Sequence, residues 1–221
     1  MSGRNKIAFI LCINDRDRKE ECTSYLRRLY VPEGMETDII PVTGKEGLCA
    51  AYQKAMRSSD ARYKVYLHQD TLILDRDFLS EMLACFARHP KAGMLGVVGR
   101  KDFRNRERFY QNEPFGALYE TRINETVLYD HYTKKADEQV LYIDGLLMMT
   151  RVDLPWRADL FPGWHMYDVS QSLEMIRAGY EIYVPYMKKP MVLHDCGVLT
   201  TKGYAKARDR AKEEYREFIP C

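Results

Sequence analysis

The run "KVYLHQDTLIL", from Lys64 to Leu74, places polar groups of metal-binding type directly after an apolar, strand-like segment. Asp70 ends the polar triplet, and a carboxylate at a strand end suits Mg²⁺ or Mn²⁺, which prefer oxygen ligands and keep open coordination positions. His68 lies two residues earlier and points to the same side as Asp70 if the chain stays extended. A structural alternative stays open, in which Asp70 caps the next turn and His68 is its half-buried partner.

A second histidine, His194, closes the later apolar run "MVL" and is followed by Asp195. A histidine after an apolar run is commonly a structural residue with its hydrogen bonds satisfied. It becomes a second metal ligand if the fold brings it to Asp70. The prediction of a metal site therefore depends on two residues that are far apart in the chain.

Asp168, in "FPGWHMYDVS", falls in the first turn of a predicted helix, where the positive end of the helix dipole favours a carboxylate. That position is its structural explanation. The functional one is a general base, which needs an ionised carboxylate within hydrogen-bond reach of a sugar hydroxyl. Trp164 and Tyr167 beside it offer a stacking surface for a sugar ring, or they belong to the core.

Asp144, before Gly145, marks either a functional position at the sheet edge or a bulge in a strand. The glycine motifs of P-loop and dinucleotide-binding proteins are absent, as is the GxSxG nucleophile motif. Carboxylate and metal chemistry is therefore one hypothesis for these residues, and the structural explanations given above stay open beside it.

Strands and amphipathic helices alternate over the first hundred residues. The predicted strands are "KIAFILCI", "TDIIPV", "KVYL" and "GMLGVVG". The predicted helices carry apolar stripes over residues 22–29, 48–56 and 78–86. Pro32 and Gly34 are expected to end the first helix, and Asp75 is the expected N-cap of the third. This alternation predicts an α/β fold with a mostly parallel sheet flanked by helices. Ligands gather at the carboxyl ends of such strands, so we expect Asn14, Asp15, residues 43–45 and residues 68–70 to share one edge.

The second half is less regular. Residues 100–135 are charged, aromatic and weakly periodic, which indicates an irregular excursion with a short hairpin that covers the same edge. The run "VLYIDGLLMMT" is predicted as one strand, and the runs "EIYVP" and "MVLHD" as two short ones. Between the first of these strands and the other two we expect a helix that ends at Gly179 and has these residues on its inward face: Met166, Val169, Leu173 and Ile176. An amphipathic tail from Gly203 to Phe218 follows.

With 221 residues and 46% apolar content, the chain can form one globular domain. A net charge of +2 does not indicate a nucleic-acid binder, and no apolar run is long enough to span a membrane. The six cysteines form no CxxC pair, and without an export signal they predict reduced, buried thiols in a cytosolic protein. The basic tail either packs on the domain, as its mixed charges favour, or contacts a membrane surface.

Together these stretches resemble family 2 glycosyltransferases of the GT-A fold, and most closely the StrF-like subset. "AAYQKAMRSSDARYKVYLHQDTLIL" is similar to that family's helix, strand and metal-binding triplet, and "VLYIDGLLMMTRVDLPW" to its acceptor-side strand. "GWHMYDVSQSLEMIRAGYEIYVP" is similar to the helix that bears the catalytic carboxylate, and "VLHDCG" to the late metal-binding histidine. The likeness spans residues 6–197.

The resemblance implies inverting transfer of a sugar from a nucleotide diphosphate sugar to a glycan or other hydroxyl acceptor. The cofactor would be Mn²⁺ or Mg²⁺ held by Asp70 and His194, and Asp168 would be the catalytic base. The implied donor-binding residues are Asn14, Asp15, His68, Gln69 and Asp70; the implied acceptor-binding residues are Asp144, Gly145, Trp164 and Tyr167. The implied single GT-A-type domain covers residues 1–221, with a nucleotide-binding half (1–100), an acceptor half (136–200) and a C-terminal helix (201–221).

Two stretches depart from the family pattern. His68 stands where the family usually has an acidic residue, and "VTGKEG" replaces the usual Asp-Gly-Ser type of turn after the second strand. These departures keep open an alternative from another functional class, a catalytically degenerate domain that binds a nucleotide or glycan or scaffolds a partner. The sequence does not specify the nucleotide, the sugar, the acceptor or the oligomeric state.

Overall fold

The computed structural model describes residues 5–132, 135–198 and 200–220. The strands in these residues are β1 (Lys6–Cys12), β2 (Glu36–Val42), β3 (Tyr63–His68), β4 (Thr71–Ile73), β5 (Ala92–Gly96), β6 (Val98–Arg100), β7 (Pro114–Arg122), β8 (Glu125–Asp130), β9 (Glu138–Gln139), β10 (Tyr142–Ile143), β11 (Leu147–Thr150), β12 (Glu181–Val184) and β13 (Val192–His194). The α-helices are α1 (Arg16–Leu26), α2 (Leu48–Ser58), α3 (Phe78–Arg88), α4 (Tyr167–Arg177) and α5 (Tyr204–Glu214).

The main sheet has the strand order β2-β1-β3-β11-β5-β12-β9. Its pairings are parallel except where β11 lies between β3 and β5 and where β9 pairs with β12. Cys12 of β1 pairs with His68 of β3, so the two strands end at the same level. The polar residues that follow them therefore meet at one edge, as the sequence predicts.

A second sheet has the order β10-β6-β7-β13-β4, with β8 paired to β7. It corrects two predictions. The run "GMLGVVG" is not one strand, because β5 and β6 lie on either side of Val97 in different sheets. The run "VLYIDGLLMMT" is likewise divided at Asp144 and Gly145 into β10 and β11. Both halves of each run are buried, so hydrophobic periodicity cannot reveal the crossing between sheets.

Two apolar layers cover the main sheet. In β1, Ile10 faces the layer that contains Tyr52 of α2, whereas Phe9 and Leu11 face the layer that contains Cys22 of α1. Successive side chains of a strand point to opposite faces, so a continuous apolar run is what a strand covered on both sides requires. The residues of α4 and the tail pack in the first layer, and those of α3 pack in the second.

Two helix limits differ from the sequence prediction. Helix α1 ends at Leu26, well before the proline and glycine that were expected to stop it. Helix α3 begins at Phe78 with Asp77 as N-cap, because the carboxylate of Asp75 instead accepts the amide hydrogen of Asp77 in the preceding turn. Gly179 has φ +85° directly after α4, which confirms its predicted role as a left-handed helix stop.

The hairpin predicted within residues 100–135 is present in the described part of that segment. Strands β7 and β8 form an antiparallel hairpin with a continuous register from Ala117–Asp130 to Arg122–Glu125. The helix of the tail packs on the domain through Ala211 and the following Tyr215, which are both fully buried. The Tyr204 hydroxyl accepts the amide hydrogen of Phe109 at 2.7 Å, which ties the tail to this excursion.

None of the helices found in the described ranges has the length and apolar character that crossing a bilayer would require. Cys12, Cys22, Cys49 and Cys85 are buried free thiols, in agreement with the prediction, whereas the free thiol Cys196 is partly exposed and departs from it. Cys221 lies outside the described residues. The predicted cytosolic location and the predicted membrane contact of the tail stay predictions.

Candidate active site

The second sheet brings His194 to Asp70. Strand β13 pairs antiparallel with β4, and the register sets His194 opposite Thr71, the residue after Asp70. The amide of Asp195 also donates to the carbonyl oxygen of Asp70 at 2.8 Å. As a result His194 Nε2 lies 3.8 Å from Asp70 Oδ1. The two distant residues on which the predicted metal site depends therefore do meet.

His68 completes a cluster of three potential ligands. Its Nδ1 lies 3.8 Å from Asp70 Oδ1, and one ligand atom from each of His68, Asp70 and His194 lies within 4.8 Å of the others. Burial lowers the pKa of His68, with Asp70 acting in the opposite direction and His194 adding to the lowering. A neutral imidazole is the form of histidine that can ligate a metal.

Asp70 Oδ1 is inaccessible to solvent, yet it has no hydrogen-bond partner among the described residues. Leaving a buried carboxylate oxygen unsatisfied costs free energy, so such an atom calls for an explanation. Oxygen from a carboxylate and nitrogen from two imidazoles form a donor set that suits a divalent transition ion. The residues present thus fit a divalent cation.

The other carboxylate oxygen of Asp70 faces Arg18 of α1. The guanidinium lies 3.8 Å from Asp70 Oδ2 and 3.4 Å from Asp195 Oδ2, and it donates to the Asp195 carbonyl at 3.1 Å. Sequence reasoning did not select Arg18. The available signal was its place in the first turn of the helix that follows the polar pair Asn14 and Asp15.

Gln69 joins the ends of β1 and β3. Its side-chain oxygen accepts the amide hydrogens of Asn14 at 2.9 Å and Asp15 at 3.0 Å, and its amide nitrogen donates to Asn14 Oδ1. The carboxylate of Asp15 caps α1 by accepting the amide hydrogen of Arg18 at 2.9 Å. The triplet "HQD" thus combines a structural clamp with two potential ligands.

Tyr167 has a role that the sequence did not suggest. The residue is only 5% exposed, which favours the core alternative that the sequence left open for its ring. Its hydroxyl lies 2.6 Å from His68 Nε2, within hydrogen-bond distance. Only glycine fits at position 145 opposite that hydroxyl, since a Cβ on Gly145 would overlap it.

Asp168 is held by backbone amides. Its Oδ1 accepts from Val169 at 2.8 Å, and its Oδ2 accepts from Gly145 at 3.1 Å. Burial, followed by the nearby charge of Asp144, raises the pKa of Asp168 to about 6 despite these hydrogen bonds. A carboxyl group with a pKa near the working pH suits general acid–base chemistry. The residue before the helix, Met166, has φ +66°, a strained conformation typical of functional sites.

Asp144 is paired with Arg100, whose guanidinium lies 3.3 Å away and is itself buried. Arg100 also donates to the carbonyl oxygens of Asn112 and Tyr110, so it fixes the excursion against the connection between β10 and β11 that carries Asp144. Sequence reasoning did not identify Arg100 as part of the site. Its position at the end of an apolar run was the only available signal.

A cavity of about 580 Å³ lies beside these groups and is lined by some of them. Asp144, Asp168 and His194 line it, and residues of the 100–135 excursion form one wall, as expected of a segment that covers the sheet edge. Trp164 also lines it, with 49% of its surface exposed, and its ring lies against Gly44. The structure therefore places the predicted base, one predicted metal ligand and an exposed aromatic ring around one space.

Comparison with known proteins agrees with this architecture. The sequence profile of a family described as "Glycosyltransferase like family" matches residues 8–215. No curated protein matches the chain significantly.

Solved structures with the same fold include the mannosyltransferase PcManGT from Pyrobaculum calidifontis in complex with GDP-Man and Mn²⁺, at 18% identity and TM-score 0.53. This chain aligns over 95% of its own length and spans 61% of that chain. Residues 1–349 of S. aureus TarS align at 9% identity and TM-score 0.54, over 96% of this chain and 73% of that one.

A mutant of Drosophila beta-1,4-galactosyltransferase 7, in complex with manganese, UDP-Gal and xylobiose, aligns at 15% identity and TM-score 0.50. The alignment covers 90% of this chain and 73% of that chain. At these identities the likeness establishes the fold. The family profile and the shared architecture together show that this chain belongs to the glycosyltransferase-like family and has the GT-A fold.

Proposed function

We propose that this chain is a metal-assisted, inverting glycosyltransferase of the StrF-like subset, which moves a sugar from a nucleotide diphosphate sugar to an acceptor hydroxyl. The observation that carries the proposal is the unpaired Asp70 Oδ1 between two imidazoles, beside a cavity lined by Asp168. Two proteins with similar structures were solved with Mn²⁺ or manganese and a nucleotide sugar, which supports the same ligand class here.

Asp70 and His194 would hold the divalent cation, Mn²⁺ or Mg²⁺. When bound, such a cation supplies Lewis-acid neutralisation of the charge that develops on the departing nucleotide diphosphate. Arg18 adds a fixed positive charge on the outer side of Asp70, at 3.8 Å from Oδ2. Positive groups preorganised around a leaving phosphate stabilise the transition state without reorganising during the reaction.

Asp168 accepts the proton of the acceptor hydroxyl while that oxygen bonds to the anomeric carbon. The bond from the anomeric carbon to the diphosphate oxygen breaks with its electron pair, so attack from the opposite face inverts the configuration. The amides of Gly145 and Val169 orient the carboxylate for this transfer. Because the pKa of Asp168 is raised to about 6, the group is ionised at neutral pH and remains a competent base.

The remaining predicted residues divide between donor and acceptor. Asn14, Asp15, His68 and Gln69 lie at the shared edge of β1 and β3 and would contact the nucleotide. Asp144, Gly145 and Trp164 line or adjoin the cavity and would contact the acceptor. We assign residues 1–100 to a nucleotide-binding half and residues 136–200 to an acceptor half of one domain, acting in polysaccharide or glycoconjugate synthesis.

A second candidate function is a non-catalytic nucleotide- or glycan-binding module. His68 in place of an acidic residue favours it, as does Arg18, which already balances part of the charge on Asp70. The two functions differ in turnover, since only an enzyme releases nucleoside diphosphate from the donor.

A panel of UDP, GDP, CDP and dTDP, each with Mn²⁺ and with EDTA, tests the proposal by thermal shift. A ligand that binds the native state raises its melting temperature in proportion to ln(1 + [L]/Kd). We expect one nucleotide to raise the melting temperature only when Mn²⁺ is present. The matching nucleotide sugar should then release nucleoside diphosphate with acceptor present. Binding without release would favour the non-catalytic module. No response to any nucleotide would reject the transferase and the nucleotide-binding module, and would leave only a glycan-binding module.

A further inference from the structure

We propose that His68 is a third ligand of the cation, through Nδ1, and that Tyr167 is the positioning residue that orients its ring. The resulting set of two imidazoles and one carboxylate selects Mn²⁺ or Co²⁺ over Mg²⁺. This inference rests on the cation site of the proposed function and specifies its composition and its metal preference.

The first support is that the two histidines lie at equal distances from one oxygen of Asp70. His68 Nδ1 and His194 Nε2 each lie 3.8 Å from the same oxygen, Asp70 Oδ1. That distance is too long for a hydrogen bond, so neither imidazole satisfies the carboxylate oxygen. Three ligand atoms that face one another without bonding leave room for an ion to bond all three.

The second support is the contact between His68 and Tyr167. At 2.6 Å, the Tyr167 hydroxyl engages Nε2 and leaves Nδ1 as the nitrogen that faces Asp70. With the proton on Nε2 donated to the phenol oxygen, the lone pair of Nδ1 is available to a metal. Metal-binding histidines generally donate their second ring N–H in this way, which fixes both the tautomer and the ring orientation.

The third support is the rigidity of Tyr167. Its ring packs edge-on against Tyr52 with centroids 5.9 Å apart, and its hydroxyl lies close to Gly145, where no side chain fits. A hydroxyl held in this way cannot follow a rotating imidazole. It therefore restricts His68 to the orientation in which Nδ1 faces Asp70.

The metal preference follows from the ligand types. Mg²⁺ demands oxygen ligands in near-octahedral geometry, whereas imidazole nitrogen suits transition ions, with affinity rising from Mn²⁺ to Co²⁺. A site with two imidazoles gives Mg²⁺ a single oxygen from the protein. An aspartate in place of His68 would make the site rich in oxygen and remove the discrimination.

Pulsed electron paramagnetic resonance of the protein with Mn²⁺ alone counts the coordinated nitrogens. We expect two imidazole couplings in the wild type, and one in each of His68→Ala and His194→Ala. His165→Ala is the matched control, because His165 lines the same cavity but bonds to the Lys202 carbonyl, and it should keep both couplings. A single coupling in the wild type, or two in His68→Ala, overturns the inference, as does the absence of bound Mn²⁺.

Competition between Mn²⁺ and Mg²⁺ on the same variants tests the preference. We expect His68→Asp to lower the ratio of Mn²⁺ to Mg²⁺ affinity by ~10-fold or more, and an unchanged ratio overturns the selectivity claim. Tyr167→Phe keeps the ring packing and should weaken Mn²⁺ binding ~10–100-fold, the usual cost of losing the partner of a metal-bound histidine. Unchanged Mn²⁺ affinity in Tyr167→Phe removes the positioning role.

These measurements contain no sugar nucleotide, so they fail separately from the proposed transfer. One nitrogen coupling together with Mn²⁺-dependent nucleotide binding would reject the role of His68 and leave the enzyme intact. Two couplings without turnover on any donor would keep the site and reject the enzyme.

Discussion

In two clusters of this protein, three side chains of metal-ligand type lie close together in space, and the two clusters differ in the hydrogen bonds that surround them. The first is His68, Asp70 and His194 at the sheet edge; the second, on the far end of α3, is Cys85, His89 and Asp137. In each cluster the potential ligand atoms lie within 4.8 Å of one another. The distances between the potential ligand atoms alone would not separate them.

The second cluster is already satisfied. Asp137 accepts hydrogen bonds from Arg88 at 2.9 and 3.1 Å, from His89 at 2.9 Å and from the Tyr186 amide at 2.8 Å. Burial alone would raise the pKa of Asp137, but the hydrogen bonds from Arg88, Tyr186 and His89 outweigh burial and lower the pKa to about 2. Arg88 hydrogen-bonds both oxygens of the Asp137 carboxylate, whereas Arg18 lies 3.8 Å from Oδ2 of Asp70 and leaves Oδ1 without a hydrogen bond among the described residues. This cluster stabilises the fold.

The cluster at the sheet edge, in contrast, is not fully hydrogen-bonded. Asp70 Oδ1 has no partner in the described residues, and the pKa of nearby Asp168 is raised to about 6. Unsatisfied hydrogen-bonding capacity therefore separates the two clusters, and it is the reason why we propose the edge cluster and not the other as the functional site.

The largest contrast is expected from Asp70→Asn and Asp137→Asn. The first variant removes the carboxylate charge from the proposed cation site and should abolish Mn²⁺-dependent nucleotide binding. The rate of transfer should fall ~10²–10⁴-fold, because a catalytic metal stabilises the transition state by several kcal/mol. The second should leave nucleotide binding intact. Titration of Mn²⁺-dependent nucleotide binding checks both, and equal behaviour of the two variants would contradict the comparison.

Asp168→Asn should lower turnover ~10²–10⁴-fold, the usual contribution of a general base, with donor binding unchanged. Because the base must be ionised and its pKa is raised to about 6, wild-type turnover should fall as the pH drops below about 6. Single-turnover rates between pH 5 and 8 check this. Near-normal turnover of the variant, or a flat profile, would assign the proton to another group.

A loss of stability is expected from Asp137→Asn at neutral pH. Hydrogen bonds to a charged group contribute about 1.5–3 kcal/mol, and we expect the lower end because Arg88 is half exposed and screened. The folded-state pKa of about 2 lies below the usual 3.8, so this stability is present above pH 3.8 and is lost as the pH falls toward 2. Urea unfolding at pH 7 and pH 2.5 measures it; a loss that persists at pH 2.5 would argue against the ionic origin.

The smallest expected effect is a pH dependence of the folding stability at Asp168 that is opposite in sign to the one at Asp137. The folded-state pKa of Asp168, about 6, lies above the usual 3.8, so the native state holds the proton more tightly and loses stability as the pH rises from 3.8 through 6. Asp168→Asn should therefore be more stable than the wild type at pH 7.5, with a smaller difference at pH 4. Melting temperatures at both values check the sign, and a destabilised variant at pH 7.5 would mean that the lost amide hydrogen bonds outweigh the relieved charge.

Local patterns determined much of the fold. The apolar runs of β1, β2 and β3, the helical stripes of α2 and α3, and the glycine stop after α4 are all readable because the 3.6-residue and two-residue periodicities are short-range properties. The rule that parallel strands end at one edge then placed Asn14, Asp15 and Asp70 together. Asp168 could be selected because its helix begins directly before it.

The pairings between strands that are far apart in the chain could not be predicted from the sequence. Nothing local shows that the run at Val97 and the run at Asp144 cross between two sheets, since cross-strand pairing is decided by packing against residues far away in the chain. Arg18, Arg100 and the Tyr167 hydroxyl were missed for the same reason. Each acquires its role from a partner that the sequence does not reveal.

The sequence by itself thus determined the α/β alternation and the polar ends of the strands, because these depend on burial within single elements. The tertiary structure decided that His194 reaches Asp70, through the register of β13 on β4, and that Tyr167 turns its hydroxyl to His68. The physical reason is that a site is a set of distances between side chains, and only the packed chain fixes those distances.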